Sequence, residues 1–238
     1  MRVILGSDPR ERAAFEVADR SIRRRTSEPV FVHRLSLPDL IRKGWYTRPT
    51  ERRDGRLWDV ISEAPMSTEH AIARFFTPLL CGRQGWALFA DSDVLCRADL
   101  SQLFHLADPA SAVMVVKHEY VPTEAEKMDG QIQTRYARKN WSSVILWNCE
   151  HRAHAGLDWR LLNAVPGRDL HRFCWLRDED IGELPVEWNF LVGVTPPRHH
   201  DPKLVHFTLG TPDMTGYEGS DYADEWREYL HAGEESFP

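Results

Sequence analysis

The sequence has no apolar run approaching the roughly 20 residues that cross a bilayer, so no integral membrane segment is expected. It enters Val3-Ile4-Leu5 after a single arginine, without the long apolar core of a secretory leader. Cysteine is scarce: Cys81, Cys96, Cys149 and Cys174 stand alone among 238 residues, with no Cys-x-x-Cys pair. Their apolar surroundings argue against a disulfide framework and for reduced core residues of a cytoplasmic protein. Basic charge is in deficit. A net charge of −6 and a pI near 6.0 argue against a nucleic-acid partner. Arg23-Arg24-Arg25 and Arg52-Arg53 read as solvated faces. Internal repeats, low-complexity tracts and composition shifts are all missing. One domain is therefore expected over residues 1–238, with the acidic segment 213–238 packed on it. What the chain does have is 42% hydrophobic content, enough for a sizeable core, and nine tryptophans.

The most informative stretch is Trp86-Ala-Leu-Phe-Ala-Asp91-Ser-Asp93-Val-Leu. The apolar run from Trp86 to Ala90 reads as a buried parallel strand ending on two aspartates. Two carboxylates there are costly unless a cation meets them. A divalent metal carrying phosphates is the simplest such partner, because hard cations take oxygen ligands. Asp-x-Asp by itself is a common chance pattern. Position raises its weight, since α/β sheets bind ligands beyond the carboxyl ends of their strands.

Around that strand the chain alternates. Arg2 to Gly6 reads as a strand, Pro9 to Arg25 as a helix with Ala14, Val17, Ala18 and Ile22 on one stripe, and Pro29 to His33 as a strand. Together they make a βαβ unit. Asp8 lies just past the first strand, where it serves equally as a helix cap or a ligand contact. Leu37 to Arg42 reads as a short helix. Gly44 to Leu57 is polar and lacks periodicity, which suggests a mobile segment or a lid. A helix follows Pro65-Met66, with Ser67 as its expected cap and Ala71, Ile72, Phe75, Phe76 and Leu79 on its buried face. Arg74 falls among these apolar positions and needs an anion, either an internal carboxylate, which we favour, or a ligand phosphate. Further strands are expected at Ala112–Val116, Ser142–Asn148 and Lys203–Phe207. An extended piece is expected at Leu184–Asn189, and helices at Asp99–Phe104, His151–Asn163 and 221–230. Lys117 to Arg138, with Lys127, Asp129, Gln131 and Gln133, reads as an excursion over the sheet edge. His206 ends the last strand; a lone histidine is more often structural than a ligand.

Taken in order, these pieces resemble the retaining glycosyltransferases that include glycogenin and bacterial lipopolysaccharide galactosyltransferases, family 8 of the A-type fold. The resemblance rests first on Ala71-Ile-Ala-Arg74-Phe-Phe-Thr-Pro, Ala-Leu-Phe-Ala-Asp91-Ser-Asp93-Val-Leu and Asp99-Leu-Ser-Gln-Leu-Phe. It continues in Ser142-Ser-Val-Ile-Leu-Trp-Asn148, Leu184-Pro-Val-Glu-Trp-Asn189 and His206-Phe-Thr-Leu-Gly210. The fold it implies is a Rossmann-like α/β domain with a mixed, mostly parallel sheet flanked by helices. It also implies transfer of a sugar from a nucleotide-sugar, UDP-linked in this family, to a saccharide, lipid-linked or protein acceptor. Asp91, Asp93 and His206 would hold Mn²⁺ or Mg²⁺. Gly6, Ser7, Asp8, Arg74, Ser92, Ser142 and Gly210 would meet the donor, and Asp169 and His171 would stand near the reacting carbon.

The departures are specific. The family's lysine after the histidine motif is missing, although Lys203 precedes His206. The family's Asn-Ala-Gly is Trp141-Ser142-Ser143, and its Asp-Gln pair is echoed only in Asp169 to His171. Two alternatives follow: a nucleotide-sugar binder without turnover, and a phosphohydrolase of the haloacid-dehalogenase kind. The latter carries Asp-x-Asp on its first strand and Thr or Val where Leu95 stands.

Overall fold

The computed structural model describes residues 1–118, 138, 140–196 and 201–232. The expected excursion with Lys127, Asp129, Gln131 and Gln133 lies outside the described residues, as does the end of the acidic segment.

The frame is a six-stranded sheet. Its strands are β1 (Arg2–Gly6), β2 (Phe31–Leu35), β6 (Trp86–Ala90), β8 (Val113–Val115), β9 (Val144–Asn148) and β10 (Ile181–Glu183), in the order β10-β8-β9-β6-β1-β2. The pairs β1–β2, β1–β6 and β8–β10 are parallel. β9 runs antiparallel to both of its neighbours, β6 and β8. The run Trp86–Ala90 is thus a strand as expected, but it is parallel on one side only.

Alternation along the strands explains why the sheet sits at the centre. Ile4, Ala87, Phe89, Ile145 and Trp147 point into one core, and Val3, Leu5, Leu88, Ala90, Val144 and Leu146 into another. Both faces are covered, so the strands read as continuous apolar runs. Burial of each of the larger aliphatic and aromatic side chains among these contributes about 1.5–3 kcal/mol.

The first core is closed by α2 (Leu37–Arg42), α3 (His70–Ala73), a 3₁₀ turn at Arg74–Phe76, α4 (Thr77–Leu80), α6 (Trp159–Ala164) and α7 (Gly167–His171). The expected single helix after Pro65 is therefore three short pieces. Glu69, not Ser67, stands at its cap position, without a side-chain bond. On the other face lie α1 (Arg12–Arg25), with α5 (Ser101–Phe104) beside it. The C-terminal α8 (Ala223–His231) packs on α1, where Arg20 donates to the carbonyls of Tyr229 and Leu230 at 3.0 and 2.7 Å. A cation there complements the negative end of the α8 dipole. The Arg23–Arg25 cluster is accordingly not wholly solvated, since Arg25 donates to the Tyr229 hydroxyl at 3.0 Å.

Two smaller sheets complete the fold. β11 (Phe190–Leu191), β12 (Leu204–His206) and β7 (Val94–Cys96) form one, with β12 antiparallel to β7 and His206 opposite Val94. β3 (Thr50–Arg53), β4 (Arg56–Asp59) and β5 (Ala64–Pro65) form an antiparallel meander, so the segment expected to be mobile or a lid carries regular strands from Thr50 onward. Asp54 and Gly55 both take positive φ, 49° and 76°, in a two-residue hairpin turn. The meander is pinned by a fully buried ion pair. Arg48 donates to both Asp59 oxygens at 2.9 and 2.5 Å and to the carbonyls of Leu162 and Val165 at 2.8 and 2.7 Å.

Three further expectations are corrected. His151–Asn163 is a 3₁₀ turn at Arg152–His154 followed by α6, because Gly156 and Leu157 interrupt it. Leu184–Asn189 ends in a 3₁₀ turn at Val186–Asn189. Cys174 is exposed, whereas Cys81, Cys96 and Cys149 are buried. Among the described residues, no helix is long and apolar enough to cross a membrane.

Candidate metal centre and its surroundings

β6 ends at Ala90, and the chain turns through Asp91, Ser92 and Asp93 into β7. Asp91 continues the alternation of Ala87 and Phe89, so its carboxylate faces the core that carries α3. There Arg74 approaches Asp91 Oδ1 at 2.9 Å and Oδ2 at 3.3 Å, and His70 Nε2 stands 3.2 Å from Oδ1. Arg74 is 5% exposed, lies 4.9 Å over the Phe89 ring, and also donates to the carbonyls of Ala71 and Ser142 at 3.0 and 2.8 Å. The favoured carboxylate partner for this arginine is thus present. Burial alone would raise the Asp91 carboxyl, but the Arg74 charge, with the His70 ring close by, outweighs it and holds the group far below the usual carboxylate range.

Asp93 faces the small sheet. His206, at the end of β12 and 3% exposed, places Nε2 3.1 Å from Asp93 Oδ1 and Nδ1 2.9 Å from Asn189 Oδ1. Burial would lower the His206 pKa; the adjoining Asp93 carboxylate raises it. One ligand atom from each of Asp91, Asp93 and His206 lies within 4.8 Å of the others. The Oδ1 atoms of both aspartates are buried and receive no hydrogen bond of good geometry, despite the nearby nitrogens. Two carboxylate oxygens and one imidazole nitrogen, under-satisfied and converging, fit a divalent cation such as Mn²⁺. The observed geometry supports that donor set.

The other residues singled out from the sequence fall at different distances from this centre. Ser142 and His171 stand beside it: Ser142 Oγ is 2.6 Å from His171 Nδ1. Burial, helped by the Arg74 charge, pushes the His171 pKa down to about 3, so its ring is neutral. Ser92 is fully buried and donates to Glu11 Oε2 at 2.7 Å. Gly6, Ser7 and Asp8 lie at the carboxyl end of β1. Asp8 is 1% exposed, caps the turn that begins at Pro9, and accepts from the Arg10 backbone and guanidinium and the Glu69 amide at 2.8–3.0 Å. Burial acts against these hydrogen bonds, which nevertheless bring its pKa down to about 2. Ser7 Oγ accepts from Arg34 at 2.8 Å. Gly6 lies against the His70 ring and Gly210 against the Tyr217 ring. The Asp169 carboxylate has a loose contact with Arg168, at 3.8 Å.

Four neighbours are given no role by the sequence alone. His70 was findable, because it precedes Arg74 by four residues and so shares its helical face. Glu11, whose carboxyl is raised by burial and by Asp93, follows Asp8 by three. Asn189 and Ser143 enter the resembling motifs without an assigned role, and only the fold joins them.

This geometry sits in a recognisable architecture. The galactosyltransferase LgtC, solved with donor and acceptor sugar analogs, matches 98% of this chain and 96% of its own, with a TM-score of 0.61 at 16% identity. The bifunctional glycosyltransferase WbbM gives 0.62 at 16% identity over 97% of this chain, which spans about half of WbbM (49%). GlyE of Streptococcus pneumoniae gives 0.58 at 16% identity over 96% of this chain and 60% of its own. The fold is therefore the A-type glycosyltransferase fold. No family model matches the sequence. Protein CDI of Arabidopsis thaliana is 42% identical over 229 residues, covering 94% of this chain and 84% of that protein. The chain belongs to the family of that plant protein.

Proposed function

We propose that the protein is a metal-dependent glycosyltransferase that moves a sugar from a UDP-sugar to an acceptor, with retention, as in family 8. The observation that carries this is the convergence of Asp91, Asp93 and His206 at one edge of an A-type fold, with buried oxygens that lack good hydrogen bonds. In this reading the three residues hold Mn²⁺ or Mg²⁺, which supplies Lewis-acid neutralisation of the leaving diphosphate. Arg74 fixes the Asp91 carboxylate and adds positive charge to the wall of the site. The neutral His171, bonded to Ser142, lines the sugar side without competing for the cation. Gly6, Ser7 and Asp8 shape the nucleoside end; Ser92 and Gly210 support the loops that bracket it. Asp169 enters the reading only as a neighbour of His171 in sequence. The whole of 1–238 acts as one domain, and the reduced cysteines fit a cytoplasmic setting.

A second reading is supported by two observations. Asp8 is already saturated by Arg10 and Glu69, and the sequence lacks the lysine that contacts donor phosphate in the resembling family. A protein that binds the nucleotide-sugar without turning it over also fits these features.

Calorimetry with Mn²⁺ and a panel of UDP-sugars, followed by an assay for released UDP, tests both readings. Metal-dependent UDP release that is lost in Asp93→Ala supports the transferase. Binding without release supports the second reading, and full UDP release in excess chelator removes the metal from the mechanism. Release of phosphate from a simple phosphomonoester would point instead to the phosphohydrolase alternative.

A further inference from the structure

A chain of three hydrogen bonds, the two nearer the ring buried, leads into His206 from the side away from the aspartates. Ser143 Oγ is 2.8 Å from the Asn140 carbonyl, Asn189 Nδ2 is 3.0 Å from Ser143 Oγ, and His206 Nδ1 is 2.9 Å from Asn189 Oδ1. Ser143, Asn189 and His206 are 7%, 0% and 3% exposed. The chain has one possible polarity. A backbone carbonyl only accepts, so the single hydroxyl proton of Ser143 points at Asn140. The Ser143 oxygen must then accept, so the Asn189 group facing it is the NH₂. The Asn189 carbonyl oxygen therefore faces His206, and only a protonated Nδ1 can meet it.

We infer that Asn189, oriented by Ser143, is a positioning residue that fixes His206 in the Nδ1–H form and so presents the Nε2 lone pair to a cation shared with Asp91 and Asp93. The inference rests on the metal reading above and assigns a role to a residue outside the ligand set. A neutral ring in this tautomer turns a lone pair towards Asp93 Oδ1 at 3.1 Å. Two lone pairs at that distance repel unless a proton or a metal ion lies between them. A cation held there would meet a ring that the Asn189–Ser143 pair has already aimed.

The local fold supplies the aim. The 3₁₀ turn at Val186–Asn189 delivers the chain into β11, and β11 lies parallel to β12 with Leu191 opposite His206. The Val192 amide donates to the His206 carbonyl at 2.9 Å, which ties the two backbones. Ser143 stands just before β9, whose antiparallel course brings its first residues to the edge where β6 ends. The Asp91 amide accordingly donates to the Ser143 carbonyl at 3.0 Å. Ser143 thus touches one proposed ligand through its backbone and another through Asn189.

The test is Mn²⁺ titration by calorimetry of the full chain, wild type against Asn189→Leu and Asn189→Asp. Thermal unfolding of each metal-free variant serves as the fold control. Asn189→Leu leaves Nδ1–H without an acceptor and should weaken Mn²⁺ about 10–100-fold. Asn189→Asp keeps an acceptor facing Nδ1–H once the Ser143 hydroxyl turns from the Asn140 carbonyl to the new carboxylate, and should hold affinity to within about threefold of wild type; a purely space-filling role would not distinguish the two. Unchanged affinity in Asn189→Leu overturns the positioning role and leaves the metal reading standing. A wild type that binds no Mn²⁺ overturns the metal reading itself. Should Asn189→Leu fail to fold, long-range ¹H–¹⁵N NMR of the Zn²⁺-loaded wild type decides. A proton on Nδ1 and none on Nε2 is expected, and the reverse tautomer overturns the inference.

Discussion

The guanidinium of Arg48 and the carboxylate of Asp59 pair with both partners at most 1% exposed, joining the β-meander to the carbonyls that end α6. The meander exposes most of its strands, so this pair, more than apolar burial, holds it in place. Ser62 extends the link, accepting from the Gly167 amide at 2.8 Å at the start of α7, the helix that carries His171.

Arg48→Ala strands a buried carboxylate and should cost about 3–5 kcal/mol of unfolding free energy in urea. Replacing Arg48 and Asp59 together by apolar residues of similar volume should cost much less than the single change. Equal losses for single and double variants would show that packing, not charge, dominates there.

Gly6 offers a sharper steric test. A Cβ at that position would stand 2.7 Å from His70 Cδ2 and 2.8 Å from Cγ. Gly6→Ala should therefore destabilise by about 1–3 kcal/mol. His70→Ala removes the obstacle, so the double variant should fall short of the summed single losses by about 1 kcal/mol or more. Strict additivity in denaturant melts would mean that the ring moves aside at little cost.

Acid should weaken the fold through histidines buried in the neutral form. Burial first, and then neighbouring His206 and Arg74 charge respectively, bring His118 to about 4 and His171 to about 3. Burial likewise takes His154 to about 4. The ordinary value is 6.5, so between these limits the unfolded chain binds more protons than the folded one. Stability then rises with pH: this contribution is complete above 6.5 and fades as pH falls towards 4 and 3. The raised His206 acts in the opposite sense, giving stability that is full below 6.5 and lost as pH rises through its folded value. His206 changes little between pH 6.5 and 4, so the three lowered histidines set a net loss of about 2–5 kcal/mol over that range, after allowing for solvent at the partly exposed His118 and His171. His154 accepts from the Trp175 indole at 3.2 Å and donates Nε2–H to Ala112 at 3.0 Å, a pattern that glutamine can copy. His154→Gln should reduce the pH slope of the urea midpoint by close to one proton.

Removing a proposed ligand should cost more than removing its support. His206→Ala and Asp93→Ala should each weaken Mn²⁺ by more than about 100-fold in calorimetry, with the apo fold retained. A titration of His206→Ala that matches wild type would take the imidazole off the ligand list.

Much of this architecture was legible where burial wrote a period into the sequence. Arg2–Gly6, Leu37–Arg42 and Trp86–Ala90 were delimited correctly because each is an apolar or capped run bounded by a charge, glycine or proline. The meander was missed although Asp54-Gly55 is a hairpin signal. Its strands Thr50–Arg53 and Arg56–Asp59 are largely exposed and charged, so no apolar alternation announced them. The same logic divides the site. Asp91, Asp93 and Arg74 stood out as charges inside apolar runs, and His206 as the end of one. Asn189 and Ser143 are uncharged, and their significance is a matter of which atom donates, visible only once distant segments meet. Cys174 was misplaced because its apolar neighbours in sequence, Phe173 and Trp175, pack inward while Cys174 faces out.

Because side chains alternate along a strand, the pairing of His206 with Val94 decides which way the imidazole faces. A shift of β12 by a single position would aim the ring into the packing beneath α8 and leave the aspartates alone. An ion held by all three groups would then serve as a proofreader of strand alignment, rewarding the one pairing that completes its shell and penalising every slipped alternative.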